Sequence, residues 1–126
     1  MFVRGREGLW AWILHRITGL GVLLFLFLHI VDTSLLLAGP ASYNHLIKTV
    51  YQAWWFQPME IALGAALLYH TLNGLRVILL DFWEQGITHD RLLRRLVVGT
   101  FVVVLVPMAV VMLWPFVFSP GTAAAP

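Results

Sequence analysis

The sequence predicts an all-α integral membrane protein: three transmembrane helices, with a short interfacial helix between the first and the second. Three observations carry that prediction. Of 126 residues, 60% are hydrophobic and only 11% are charged, whereas roughly a quarter are charged in an ordinary soluble domain. Mean hydropathy is accordingly high, at +0.85. Three separate segments each hold the roughly 20 mostly apolar residues that cross a bilayer's hydrocarbon core. Basic residues cluster in alternate connections, as three crossings require.

The first span, about 10–37, is long enough to tilt or to begin outside the hydrocarbon. The second, about 59–83, carries most of the intramembrane polar residues. The third, about 96–118, reads "LVVGTFVVVLVPMAVVMLWPFVF" and has no charge. Pro107 is expected to kink it, which membrane helices tolerate when neighbours satisfy the freed carbonyl. Between the first two spans lies "GPASYNHLIKTVYQAWWFQP". Gly39 and Pro40 end the first helix, and Ser42 is suited to cap a short second one. Leu46, Ile47, Val50 and Tyr51 then recur at helical spacing, the pattern of an amphipathic helix lying at the interface. Trp54, Trp55 and Phe56 form an aromatic belt at the entry to the second span. "EQGITHDRLLRR" is a polar loop with a basic end, and the tail 119–126 has no packing signal and is expected to be disordered. With no internal repeat, residues 1–126 read as one membrane-anchor domain.

Composition also excludes functions. There is no cysteine, so thiol-ligated clusters, disulfides and a cysteine nucleophile are absent. The net charge of +2 sits near span ends and offers no nucleic-acid surface. The N-terminal apolar run continues to about Leu37 without a small-residue cleavage pattern, unlike a signal peptide. Arg4, Arg6 and Arg16 at the start, and Arg91, Arg94 and Arg95 in the second loop, place the N-terminus and that loop on the cytoplasmic side. The first loop carries only Lys48, and the C-terminus is placed outside.

Polar groups inside a bilayer are functional suspects. Here they are His15, Arg16, His29, Asp32, Glu60, His70, Asn73, Arg76 and Asp81. Glu60 and Asp81 can reach headgroups, Arg16 and Arg76 can snorkel, and His45 and His89 fall in loops. His70 lies eleven residues from both Met59 and Asp81, about 16 Å along the axis from either end and so near the midplane. Such a histidine can hydrogen-bond a neighbouring helix, relay protons or ligate a metal, haem iron included. Ala66, Asn73, Gly74, Val77 and Asp81 share its face by three- and four-residue steps. Small residues there admit either a flat macrocycle or another helix. On the first span, His15 and His29 are fourteen residues apart and roughly on one face, with Gly19 a turn above His15.

"WILHRITG" (12–19) and "YHTLNGLRVILLDF" (69–82) together resemble the cytochrome b membrane-anchor subunit of succinate dehydrogenase (succinate:quinone oxidoreductase, respiratory complex II). That family carries an HR-x-[ST]-G stretch at the start of its first span and an H-x3-G-x-R-x4-D stretch in its second. The resemblance implies that His70 is the axial ligand of haem b. It places Arg16 and His15 near the quinone pocket and haem propionates, Arg76 near the haem edge, and Asp81 where the iron–sulfur subunit docks. Trp12 stands where many members have a serine of the quinone site, and Val77 where many have a second histidine. Quinone contacts, including Trp12 and Asp81, are therefore less sharply implied than the iron ligand.

The chain lacks a flavin fingerprint and cluster cysteines, so succinate oxidation is expected from a flavoprotein subunit and an iron–sulfur subunit. By linear counting, His15 falls toward the inner surface and His29 toward the outer half. His70 then has no mate at its own depth, and the second iron ligand is expected from a second membrane-anchor subunit. His29 is expected to bond Asp32 or a helix carbonyl; the other reading makes it ligand to a second, outer haem. The implied location is the bacterial plasma (inner) membrane. Two rival readings remain: the anchor of a fumarate reductase, and a non-haem membrane scaffold with His70 as packing glue.

Overall fold

A computed structural model describes residues 5–118; Arg4 and the tail 119–126, for which disorder was expected, lie outside the described residues. The chain is all helical there. Helix α1 (Gly5–Ser34) runs on through a 3-10 turn (Leu35–Ala38), and α2 (Pro40–Leu46) passes into a π-turn (Ile47–Tyr51). Helix α3 (Phe56–Phe82), a 3-10 turn (Glu84–Ile87) and α4 (Asp90–Phe118) complete the order. α1 with its 3-10 extension, α3 and α4 are each long and apolar enough to cross a membrane. All three predicted spans are therefore present, each beginning a few residues earlier than the hydropathy suggested.

Local chemistry explains the breaks. Gly39 has φ +112°, open to glycine because it lacks a Cβ. Pro40 then occupies the first turn of α2, where its missing N–H costs nothing. Ser42 is thus inside α2 rather than capping it, and no side chain caps that end. α4 continues unbroken through Pro107 and Pro115. Hydroxyls within the apolar helices are satisfied at home: Thr18 donates to Leu14 O, Thr33 to His29 O and Thr71 to Leu67 O.

α3 is the middle helix, packed against α1 on one side and α4 on the other. Glycines set how closely they approach. A Cβ on Gly64 would lie 3.0 Å from the Met108 methyl of α4, and one on Gly19 would lie 3.0 Å from the His70 ring of α3. Among the described residues, no hydrophobic side chain is fully buried, and the one buried polar side chain is Asn73, 2% exposed. Leu20, Leu23, Leu24 and Phe27 of α1 stand open. This inside-out exposure suits a chain whose apolar faces meet lipid and neighbouring helices rather than water.

At the far end of α1, the Tyr51 hydroxyl donates to Asp32 Oδ2 and ties the interfacial segment to the first span. That bond, with burial adding to it, pushes the Tyr51 phenol up to about 12.

Candidate functional site

The predicted site residues form two adjoining features and leave one residue apart. The first feature is a histidine pair. The His15 and His70 rings stack with centroids 4.3 Å apart and planes 15° from parallel. Gly19 gives the His70 ring room, and Gly74 faces His15 Cε1, which a Cβ there would meet at 3.8 Å. This corrects the expectation that His70 has no mate at its depth in this chain. α1 begins at Gly5 rather than Trp10. Counted from the true ends, His15 lies about 15 Å from the start of α1 and His70 about 18 Å from the end of α3. Those ends adjoin, so the rings meet.

His70 Nδ1 lies 3.2 Å from the His15 backbone carbonyl and 3.5 Å from Thr18 Oγ1. The Thr18 hydroxyl already donates to backbone oxygens. A carbonyl can only accept, so the bond to His15 O puts a proton on Nδ1, and in the neutral ring the lone pair is then on Nε2. A backbone carbonyl holding one ring nitrogen while the other faces a metal is a recurrent way of orienting a histidine ligand. The donor set therefore fits haem. His15 lies beside His70, not opposite it across a shared iron. Its Nδ1 is buried with no hydrogen-bond partner among the described residues.

The second feature is a cleft of about 520 Å3 at the adjoining ends of the helices. Ala11, Trp12, Val77, Leu80 and Ile87 supply apolar wall, and Asn73, Arg76, Asp81 and Asp90 supply polar atoms. Such a mixture suits a flat, mostly apolar ligand with a few polar atoms to orient. The structure thus brings Trp12, Arg76 and Asp81 to one cavity. Arg16 stands outside it, exposed, its guanidinium 4.3 Å over the Trp12 ring in a cation–π contact.

Arg76 does not snorkel. It donates through Nε to Asp90 Oδ1 at 2.9 Å, again through Nη2 to the same oxygen, and through Nη1 to Asn73 Oδ1 at 3.0 Å. Asp90 Oδ2 accepts from Arg94 Nη1, and Arg94 Nη2 lies 3.8 Å from Glu7 of α1. Sequence reading missed Asp90, placing it in a polar loop. Its i,i+4 relation to Arg94 at a helix start was the available signal.

His29 is the residue left apart, fourteen positions from His15 and so about 21 Å along α1. Its side chain is 52% exposed, with Nδ1 3.5 Å from Asp32 Oδ1. Its ring stacks on Phe25. His89 is also exposed, stacked on Trp83 with Nδ1 3.0 Å from Gln85 O.

Residues 2–111 match the family of succinate dehydrogenase/fumarate reductase transmembrane subunits. The chain is similar to the succinate dehydrogenase 2 membrane subunit SdhC of Mycobacterium tuberculosis, with 42% identity over 108 residues, 86% of this chain and 79% of the relative. It is also similar to the succinate dehydrogenase hydrophobic membrane anchor subunit of Halobacterium salinarum, 34% identical over 74 residues, 59% of this chain and 57% of the relative. The corresponding subunit of Archaeoglobus fulgidus is 34% identical over 71 residues, 56% of this chain and 60% of the relative.

Proposed function

The chain belongs to the succinate dehydrogenase/fumarate reductase transmembrane-subunit family, and from that membership we propose that it is a haem b-binding anchor which forms part of a quinone-reduction site. In this reading His70 Nε2 would hold the haem iron, and a second anchor subunit would supply the other ligand. Haem, when bound, would supply a one-electron store. The observation that carries the reading is the bond from His70 Nδ1–H to the His15 carbonyl, which leaves Nε2 unprotonated and held in place. Gly19 keeps the ring from being displaced, and the carbonyl keeps it from turning.

The cleft beside the pair takes the quinone head. Its apolar walls exclude water, and the Arg76 guanidinium donates toward carbonyl oxygens that gain negative charge on reduction. Trp12 provides a flat wall, and Arg16 covers that ring from outside. Asp81, exposed at the cleft edge, is placed to hand on protons from solvent. The end bearing the cleft faces the cytoplasm in this reading, a placement the basic clusters favour, and there the iron–sulfur and flavoprotein subunits deliver electrons from succinate.

The stacked rings also support a second reading, in which the pair serves only to pack α1 on α3. One experiment separates them. The complex copurified with this subunit should show a reduced b-type absorption band and succinate-driven quinone reduction. A complex with full quinone reductase activity and no such band would leave only the packing role.

A further inference from the structure

Asp90 opens α4 at the cleft and holds two guanidinium groups on one carboxylate. Oδ1 takes both bonds from Arg76, and Oδ2 takes the bond from Arg94. None of the three is well solvated: the side chains of Arg76, Arg94 and Asp90 are 10%, 13% and 21% exposed. With Asn73 on Nη1, three of the five N–H donors of Arg76 are engaged, leaving one on each Nη. The formal charges of Arg76, Arg94 and Asp90 sum to one positive charge. Glu7, 3.8 Å from Arg94, is 71% exposed and screened by solvent. Asp81, the other carboxylate on the cleft, is likewise exposed.

We propose that Asp90 is a positioning residue for the cleft. By gripping Arg76 through Nε and Nη2, it holds the guanidinium at the wall with two N–H groups left for the oxygen of a bound quinone. Held there, the guanidinium keeps its charge and its two free N–H groups toward the oxygen of the bound quinone on which negative charge develops. An unanchored arginine would turn toward solvent and give up those bonds. The inference rests on the cleft being the quinone site.

The test uses the assembled complex and two acceptors, a soluble short-chain quinone and an artificial acceptor reduced ahead of the cleft. Asp90→Asn should raise the quinone KM about tenfold, the scale of one charge-assisted hydrogen bond. Succinate oxidation by the artificial acceptor should not change. Arg94→Gln removes the other half of the network without freeing Arg76, so its quinone KM should stay within about twofold of the unmodified complex, less than one such bond is worth. Asp90→Glu, which keeps the charge and displaces it by a methylene, should fall between, and it carries the test if Asp90→Asn does not assemble. An unchanged KM in the Asp90 variants, or an equal rise in Arg94→Gln, overturns the proposal. Trp12→Leu and Arg76→Gln serve as the reference: if they too leave the quinone KM unchanged, the cleft reading itself fails.

Discussion

The His15 and His70 imidazoles lie face to face, 4.3 Å apart, with the His70 Nδ1 on the His15 backbone carbonyl. One residue of α1 thus both stacks on the His70 ring and sets its tautomer. Because the setting atom is backbone, the side chain of His15 can change without releasing His70. His15→Ala should therefore retain the b-type band, with a shifted midpoint potential because the stacked neighbour is gone. Potentiometric titration of the band checks this, and complete loss of haem would make the His15 ring itself indispensable.

Two glycines on the same interface should respond differently. A Cβ on Gly19 meets His70 Cε1 at 3.0 Å, whereas one on Gly74 meets His15 Cε1 at an ordinary 3.8 Å. Gly19→Ala should push the ring aside by a few tenths of an ångström and reduce haem occupancy, and Gly19→Val should reduce it further. Gly74→Ala should be neutral. Reduced-minus-oxidised spectra, normalised to flavin, read the difference.

Asn73 is the buried polar pivot of α3, and its oxygen accepts from Arg76 at 3.0 Å. Asn73→Leu removes the acceptor and leaves a poorly solvated N–H unmade, at a cost of about 1–3 kcal/mol. The variant complex should dissociate at a lower temperature, followed by the release of succinate dehydrogenase activity from heated membranes. Unchanged heat stability would place Arg76 in contact with water instead.

Much of this arrangement was legible in the sequence. Apolar runs of this length gave three helices because a helix satisfies all of its own backbone in hydrocarbon. The spacing of His70, Gly74, Arg76 and Asp81 put the polar residues on one helix. Depth was harder to read. Charged Arg6 and Glu7, flanked by glycines at 5 and 8, hid the first turn of α1, an offset of five residues or about 7.5 Å, and so linear counting put His15 too shallow to reach His70. The Arg76–Asp90 pair was illegible because it joins two helices across a turn, a relation without a local period. Tyr51 on Asp32 was missed for the same reason: nineteen residues separate them.

That outer contact carries a pH prediction. The Tyr51 phenol, pushed up to about 12 by its bond to the Asp32 carboxylate, contributes stability fully below the ordinary tyrosine value of 10. The contribution is lost as pH rises through about 12. Ultraviolet titration should show one late-ionising tyrosine, absent in Tyr51→Phe. An identical titration curve for the variant would mean that the interfacial segment is not tied to α1 in this way.

His29 belongs to that outer cluster and stands about 21 Å from His15 along α1. With its ring on Phe25 and its Nδ1 facing Asp32, it should be dispensable for haem. His29→Ala should leave the haem count per complex unchanged, and the loss of one haem of two would assign it a second iron.

The most direct measurement is the reduced-minus-oxidised spectrum of the complex carrying His70→Ala, with flavin content measured alongside. The account predicts that the b-type band disappears while the flavoprotein and iron–sulfur subunits still copurify. A b-type band of undiminished height and unchanged position in that variant would contradict it.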